Sequence, residues 1–320
     1  MQRATDRTGR LASMPSRFLS ILDLDPETLA ECLELALRLK AARSARVRHE
    51  QPLEGQHVAL LFEKPSLRTR STFEIAVHEL GGNVIEPPAA VALGGREAIA
   101  DVARNLERWV STAVVRTYAQ ARVEEFASAA PRLRVVNALT DEEHPCQALA
   151  DYLTLTERWG NLRGRTIAFV GDGNNVATSL VHGGMMLGAH LRVASPPGFE
   201  LPVRVRDHIA HLGRFGGSLD ITSDPVAAVR NADAVYTDVW TSMGQEEEAA
   251  GRRAAFAPYQ VNPLLMSHAT PDALFMHCLP AHRGEEVTDD VIDSAASVVF
   301  DQAENRLHAQ KALLAILARD

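Results

Sequence analysis

At 320 residues the chain is long enough for two domains of ordinary size. Its hydrophobic content of 46% and charged content of 23% are those of an ordinary globular protein, and a formal net charge of −8 argues against a general nucleic-acid binder. No apolar run reaches the length of a membrane-spanning helix, and the cysteines, Cys32, Cys146 and Cys278, lie far apart without CxxC spacing, which implies neither a disulfide framework nor a zinc site.

Residues 1–16 are polar and basic, the composition of a frayed end, and lack the apolar core of a secretory signal. Together with the isolated cysteines this predicts a reducing, cytoplasmic location. Asp25-Pro26-Glu27-Thr28 is a helix start with Pro26 suited to the first turn, and Leu29, Cys32, Leu33, Leu35, Ala36 and Leu39 recur at helical spacing. The apolar run His57-Val58-Ala59-Leu60-Leu61 reads as a strand. It enters Phe62-Glu63-Lys64-Pro65-Ser66-Leu67-Arg68-Thr69-Arg70, and a helical pattern resumes at Ser71. A strand that ends in arginines, a lysine and hydroxyls at a helix N-terminus is an anion trap. The backbone N–H groups point outward, the helix dipole favours negative charge, and arginine offers a planar fork of donors. The competing reading is a solvated basic loop.

Glu79 to Ile85 reads as a helix end, a glycine cap and a new strand, and residues 87–95 as a Pro/Ala/Gly-rich loop. Residues 99–110 resume a helical period, residues 113–117 form a short strand, residues 123–130 a helix and residues 133–138 a strand. His144-Pro145-Cys146-Gln147-Ala148-Leu149-Ala150-Asp151 opens a further helix that runs to about Trp159. Strands follow at residues 166–170, 191–194, 234–238 and 273–277, and residues 305–317 form a long amphipathic helix. Strands alternating with helices predict an α/β chain of two domains, each a mostly parallel sheet flanked by helices. The domain change is placed inside the helix that begins at His144-Pro145, with one domain over residues 17–150 and the next over 151–300.

In open α/β sheets ligands sit off the carboxyl ends of the strands. The polar clusters collect there: Ser66 to Arg70, Arg116, His144, Asp172 to Asn175, Asp238 and His277-Cys278. Arg116 is either a surface ion pair or, beside the Ser66 loop, part of a phosphate or carbonyl site. His144 and Gln147 share one helix face and offer an imidazole and an amide to a carbonyl or amino group; the alternative is a capping arrangement with Asp151 in a salt bridge. Gly171-Asp172-Gly173-Asn174-Asn175 lacks the third glycine of a dinucleotide fingerprint, Val176 standing there, and its asparagines suit an amino-acid carboxylate or ammonium better. Asp238 is a candidate ammonium partner or a turn-forming residue. Cys278 is a candidate reactive thiol or a small hydrophobe. No metal-ligand spacing stands out, and neither metal nor cofactor is expected.

Taken in order from about Phe18 onward, these segments resemble the aspartate/ornithine carbamoyltransferase family. Ser66-Leu67-Arg68-Thr69-Arg70 is similar to its phosphate loop and His144-Pro145-Cys146-Gln147 to its His-Pro-x-Gln segment. Asp238-Val239-Trp240-Thr241-Ser242-Met243-Gly244 and His277-Cys278-Leu279-Pro280 resemble the ornithine-type rather than the aspartate-type members, and Asp301 to Arg306 resembles a C-terminal signature.

The resemblance implies a transferase that moves the carbamoyl group of carbamoyl phosphate to the δ-amine of L-ornithine, with a C-terminal helix of residues 301–320 returning to the first domain. It implies that Ser66, Leu67, Arg68 and Thr69 hold the phosphate and that Arg116 and His144 polarise the carbamoyl carbonyl. Gln147, Arg306 and the carbonyls of Cys278 and Leu279 would meet the carbamoyl end. Asn175, Asp238, Ser242 and Met243 would hold the amino-acid head, with Cys278 orienting the attacking amine. The catalytic set is then Arg68, Arg116, His144 and Cys278. It implies a homotrimer or a multiple of trimers, with no nucleic acid and no membrane. Because an alkyl amine has a pKa of roughly 10, activity should rise with pH above neutrality. Other members usually carry Gln where this chain has Ala92, so a hydrogen bond to carbamoyl phosphate worth about 1.5–3 kcal/mol is expected to be missing. Competing readings are a carbamoyltransferase for another amine and a non-catalytic binding protein on the same fold.

Overall fold

The computed structural model describes residues 16–88, 93, 95–241 and 246–319. Ala92, Ser242 and Met243, and the polar N-terminus up to residue 15, lie outside them.

Chain order gives β1 (Arg17–Phe18), α1 (Pro26–Ser44), β2 (His57–Phe62), α2 (Leu67–Glu79), β3 (Asn83–Ile85), α3 (Ile99–Leu106), β4 (Thr112–Arg116), α4 (Gln120–Ala129), β5 (Arg134–Leu139) and α5 (Pro145–Trp159). There follow β6 (Thr166–Val170), α6 (Asn175–Met186), β7 (His190–Ala194), α7 (Val203–Leu212), β8 (Ser218–Thr222), α8 (Pro225–Val229), β9 (Ala234–Thr237), α9 (Ala249–Phe256), α10 (Pro263–Met266), β10 (Leu274–His277), α11 (Asp289–Ile292) and α12 (Val299–Leu317). The strands form two five-stranded sheets, ordered β1-β5-β4-β2-β3 and β10-β9-β6-β7-β8, with every pairing parallel. Helices on both faces bury the strands, which is why β2 and β4 read as continuous apolar runs rather than alternating ones.

Three features differ from the sequence expectation. β1 is too short to show a pattern, and β8 is an edge strand with no fully buried residue, so neither carries the apolar signature of a core strand. The final helix starts at Val299, six residues before the expected start, and it is buried on nearly every side rather than amphipathic. One of its buried charges is paired within the fold: Lys311, fully buried, meets Glu79 at 2.6 Å. This helix packs against α1, α2 and α5, so the end of the chain returns to the first half.

Each sheet reverses its strand order once. In the first sheet β2 is followed in sequence by β3 on one side and then β4 on the other; in the second, β6 is flanked by β7 and by β9 in the same way. A crevice opens at the carboxyl ends of strands where such a reversal occurs. Both reversals face one cavity.

Candidate active site between the two halves

The cavity, about 340 Å³, is walled by the loop and first turn after β2, the ends of β4 and β5, and the starts of α5 and α6. The ends of β9 and β10 and one side chain of α12 complete it. Ser66 caps α2: its side-chain oxygen accepts the Thr69 N–H at 3.2 Å, while its own backbone stays extended. The N–H groups of Leu67 and Arg68 open the helix and have no intrahelical acceptor. They face the cavity together with the positive end of the helix dipole.

Arg116 arrives by register. Phe62 and Arg116 are partners across β2 and β4, and on the other side β4 meets β5 through a bulge between Val115 and Arg116 that skips one residue of β5. A bulge re-aims the side chain that follows it. Arg116 is therefore no surface ion pair: it is 6% exposed and lines the cavity. Burial first, then the charges of Arg306 and Arg68, pull its pKa down to about 10, which still leaves it cationic at neutral pH. Among the described residues no carboxylate lies within ion-pair distance of Arg68, Arg116 or Arg306. Three uncompensated guanidinium groups around one cavity are a standing demand for an anion.

His144 sits at the N-cap of α5 without capping it through its side chain, and its Nδ1 has no partner among the described residues. Burial, followed by Arg306 and Arg116, holds its pKa well below the usual histidine range, so the imidazole is neutral. Gln147 does not line the cavity. It stands behind Arg306, accepting from Arg306 Nη1 at 2.8 Å and donating to Asp151 at 2.8 Å. Arg306 also donates to the Thr69 hydroxyl. Among the described residues Asp151 has no ion-pair partner; it accepts instead from Gln147 and, at 2.9 Å, from Gln302, whose own oxygen accepts the His277 N–H at 3.0 Å.

The opposite wall is anionic. β9 and β10 pair in the register Thr237 with His277, so the next residues of each strand, Asp238 and Cys278, stand side by side, and the thiol donates to Asp238 Oδ1 at 3.0 Å. Asn174 caps α6 through its side-chain oxygen and donates its amide to Asp238 Oδ2 at 2.8 Å. Asn175 lines the cavity and donates to the Thr140 carbonyl. Leu279 is held at φ 58°, a left-handed conformation costly for leucine, and its N–H donates to His277 Nδ1 at 2.9 Å. That acceptor role fixes the tautomer: His277 carries its proton on Nε2, which faces Glu286 at 3.1 Å.

The glycine-rich turn after β6 is packed against the chain's own backbone. A side-chain carbon on Gly173 would stand 2.3 Å from the Leu201 nitrogen and 2.4 Å from the Glu200 carbonyl carbon. A glycine here allows that close approach of the chain's own backbone.

The cavity thus gathers Ser66, Leu67, Arg68, Thr69, Arg116, His144, Asn175, Asp238, Cys278, Leu279 and Arg306. It also includes Leu139, Val176, Thr241 and His282, which the sequence reading did not single out. Asn174, Asp151 and Gln302 position the wall without forming it. The sequence offered Asn174 only as one of two asparagines suited to a ligand, not as the cap of α6; the partnership of Gln302 with Asp151, 151 positions apart, had no local signal.

A cation-lined end beside a carboxylate-bearing end suits one anionic and one aminated ligand. The chain is also similar to known proteins. A model of the aspartate/ornithine carbamoyltransferase carbamoyl-P binding domain matches residues 16–157, and one of the Asp/Orn binding domain matches residues 163–317. The ornithine carbamoyltransferase of Symbiobacterium thermophilum is 50% identical over 302 residues, covering 94% of this chain and 97% of its own. A Pyrococcus furiosus relative named "Ornithine carbamoyltransferase, anabolic" is 50% identical over 301 residues, 93% of this chain and 95% of its own. The solved ornithine carbamoyltransferase of Pyrococcus furiosus matches with a TM-score of 0.91 at 49% identity, covering 96% of this chain and 98% of that one. The chain belongs to the aspartate/ornithine carbamoyltransferase family.

Proposed function

We propose that the chain transfers the carbamoyl group of carbamoyl phosphate to the δ-amine of L-ornithine, giving L-citrulline and phosphate, in arginine biosynthesis. The observation that carries this reading is the single cavity with uncompensated Arg68, Arg116 and Arg306 at one end and Asp238 between Asn174 and Cys278 at the other.

In this reading the phosphate rests on the first-turn N–H groups and hydroxyls of Ser66, Leu67, Arg68 and Thr69, with Arg68 as its fork. Arg116 and neutral His144 donate to the carbamoyl oxygen, and Arg306, braced by Gln147, lies at the same end. The carbonyls of Cys278 and Leu279 receive the carbamoyl NH2. Asn175, Asp238 and the Ser242-Met243 backbone take ornithine's α-amino and carboxylate groups. The neutral δ-amine forms a bond to the carbamoyl carbon and the carbon–oxygen bond to phosphate breaks. The departing phosphate takes the proton released by the amine. Cationic donors fixed around the tetrahedral oxyanion lower its energy without reorganising, and confinement of both substrates supplies much of the remaining acceleration.

The same reading assigns residues 17–150 to carbamoyl phosphate, 151–300 to ornithine and 301–320 to the returning helix, in a cytoplasmic homotrimer or multiple of trimers. The buried free thiols of Cys32 and Cys146 fit a reducing compartment. No helix among the described residues is long and apolar enough to cross a membrane. The test is product mass after incubation with carbamoyl phosphate and ornithine, acetylornithine, putrescine, lysine or aspartate. Citrulline from ornithine alone is expected; a different carbamoylated product, or none, overturns the assignment.

A further inference from the structure

Next to His144 lies a second buried polar cluster to which the transfer scheme above assigns no role. Its centre is Glu143, 5% exposed and directly before His144 in sequence. Three side chains converge on its carboxylate: Ser20 Oγ donates at 2.9 Å, Ser179 Oγ donates to the other oxygen, and His182 Nδ1 lies at 3.2 Å. Ser20 belongs to the first half, whereas Ser179 and His182 are on α6 of the second. A buried carboxylate with this many donors is held firmly, and it holds them.

Two links run outward from it. Ser179 Oγ also accepts the backbone N–H of His144 at 2.9 Å, so the carboxylate orients the hydroxyl that tethers His144. Ser179 stands one helical turn after Asn175, on the same face of α6, so the tether also seats the turn that carries Asn175 into the cavity. On the other side His208 Nδ1 lies 3.2 Å from His182 Nε2. Because His182 Nδ1 must donate to the carboxylate, its Nε2 is the acceptor and His208 Nδ1 carries the proton. His208, on α7, lines a separate cavity of about 430 Å³ between the segment before α1 and the α7 end.

We propose that Glu143 is a positioning residue for the transfer, fixing His144 and the first turns of α6 through Ser179, and that the His182–His208 pair carries protons between solvent and its carboxylate. A proton taken up at His208 Nε2 releases the Nδ1 proton to His182 Nε2. The result is a His182 imidazolium paired with Glu143, one proton gained in all. The groups facing the relay are Asp207 and His211 on α7, Asp23 and Asp25 before α1, Arg214 after α7, Tyr152 on α5 and the neighbouring Arg204–Glu142 pair. Burial and His182 hold the pKa of His208 below the ordinary histidine value, so the relay loads on the acid side of neutrality.

The positioning claim rests on the carbamoyl-transfer reading; the relay does not, and the experiment separates them. Citrulline formation by the full chain would be followed from about pH 5.5 to 9 for Glu143→Gln, Ser179→Ala and His208→Gln, alongside nitrogen-15 histidine NMR titrations. A tether that sets donor placement predicts kcat lower by roughly ten- to hundredfold in the first two variants, with both KM values within about threefold. His208→Gln keeps the hydrogen bond to His182 but cannot pass a proton. It should retain the alkaline rate within about twofold while moving the acid limb of the profile, and it should shift the His182 titration. Rates within twofold of wild type in both tether variants overturn the positioning role. A His208→Gln profile and His182 titration superposing on wild type overturn the relay. If the wild type forms no citrulline the transfer assignment fails and the positioning role with it, and the NMR titration still decides the relay.

Discussion

At the strand reversal of the first sheet the side chains are Arg68, Arg116 and, brought by α12, Arg306; at that of the second they are Asn174, Asn175, Asp238 and the Cys278 thiol. The backbone plan is the same in both: five parallel strands, a reversal, and a helix N-terminus aimed into the crevice. What differs is how the helix start is used. The N-terminus of α2 leaves N–H groups for a ligand. In α6 the Asn174 side chain takes the N–H groups of Val176 and Ala177 for itself and offers its amide to Asp238. One crevice is built to receive an anion and the other is already supplied with one. A fold places a site; the capping residue and the strand-end side chain choose its charge.

The strongest way to break this comparison is to remove charge from the first crevice. Arg116→Met keeps volume and apolar packing but deletes a donor that the proposed mechanism assigns to the developing oxyanion. It should lower kcat for citrulline formation by about 10²–10³. A loss confined to the KM for carbamoyl phosphate would instead make Arg116 a ground-state binder. The counterpart is Asp238→Asn, which keeps shape and removes the charge. Losing one hydrogen bond to a charged group costs about 1.5–3 kcal/mol, so the KM for ornithine should rise by roughly ten- to 150-fold while that for carbamoyl phosphate stays put. If both constants moved together, the two crevices would not be separate binding sites.

A third substitution tests the strut behind them. Burial pushes the Asp151 carboxyl from its ordinary value of 3.8 up to about 6, with the Gln302 and Gln147 amides offsetting part of the rise. The folded value lies above the unfolded one, so the native state holds this proton more tightly. Its contribution to stability is full below about pH 4 and is lost as pH rises through about 6, to an extent on the order of 3 kcal/mol. Asp151→Asn keeps an acceptor for both amides and carries no charge. It should stabilise the protein by about 1–3 kcal/mol at pH 7.5 and by little at pH 4.5. Urea unfolding at the two pH values reads this directly, and an equal effect at both would rule out ionisation as the cause.

The two crevices were unequally legible in the sequence. Ser66 to Arg70 could be read because a strand end, a cap and the basic residues are consecutive. Arg116 was ambiguous because its burial depends on the register with Phe62 and on the bulge opposite Leu139, neither of which is a local property. Arg306 bonds to Thr69 across 237 positions, and nothing near either residue announces the contact. The parallel α/β plan was plain from the alternation of periods, whereas the edge strand β8 was not, since an edge has no need of an apolar run. The turn Gly171-Asp172-Gly173 showed in the sequence only that a third glycine is missing, whereas the close approach of Gly173 to Glu200 and Leu201 lies in the tertiary structure.

The smallest expected effect concerns the residue most easily mistaken for a nucleophile. Burial first, then the neighbouring Asp238 carboxylate, pushes the Cys278 pKa well above the ordinary 9.0, so the group is a thiol at neutral pH. A thiol is a weak nucleophile, and this one already donates to Asp238 Oδ1 while Asn174 holds Oδ2. In the proposed transfer its side chain would hold the carboxylate of the second crevice. Cys278→Ser places a stronger donor in the same position and should leave ornithine kinetics within a few-fold of wild type. Cys278→Ala removes the donor and should raise the KM for ornithine about fivefold, corresponding to roughly 1 kcal/mol for one hydrogen bond from a weak thiol donor. A covalent role would instead collapse kcat in both variants together, because no hydroxyl or methyl replaces an attacking sulfur. Iodoacetamide should alkylate Cys278 slowly at pH 7 and faster as pH rises past 9; rapid neutral labelling would mean that a thiolate sits beside Asp238 and that the second crevice carries more negative charge than its geometry assigns.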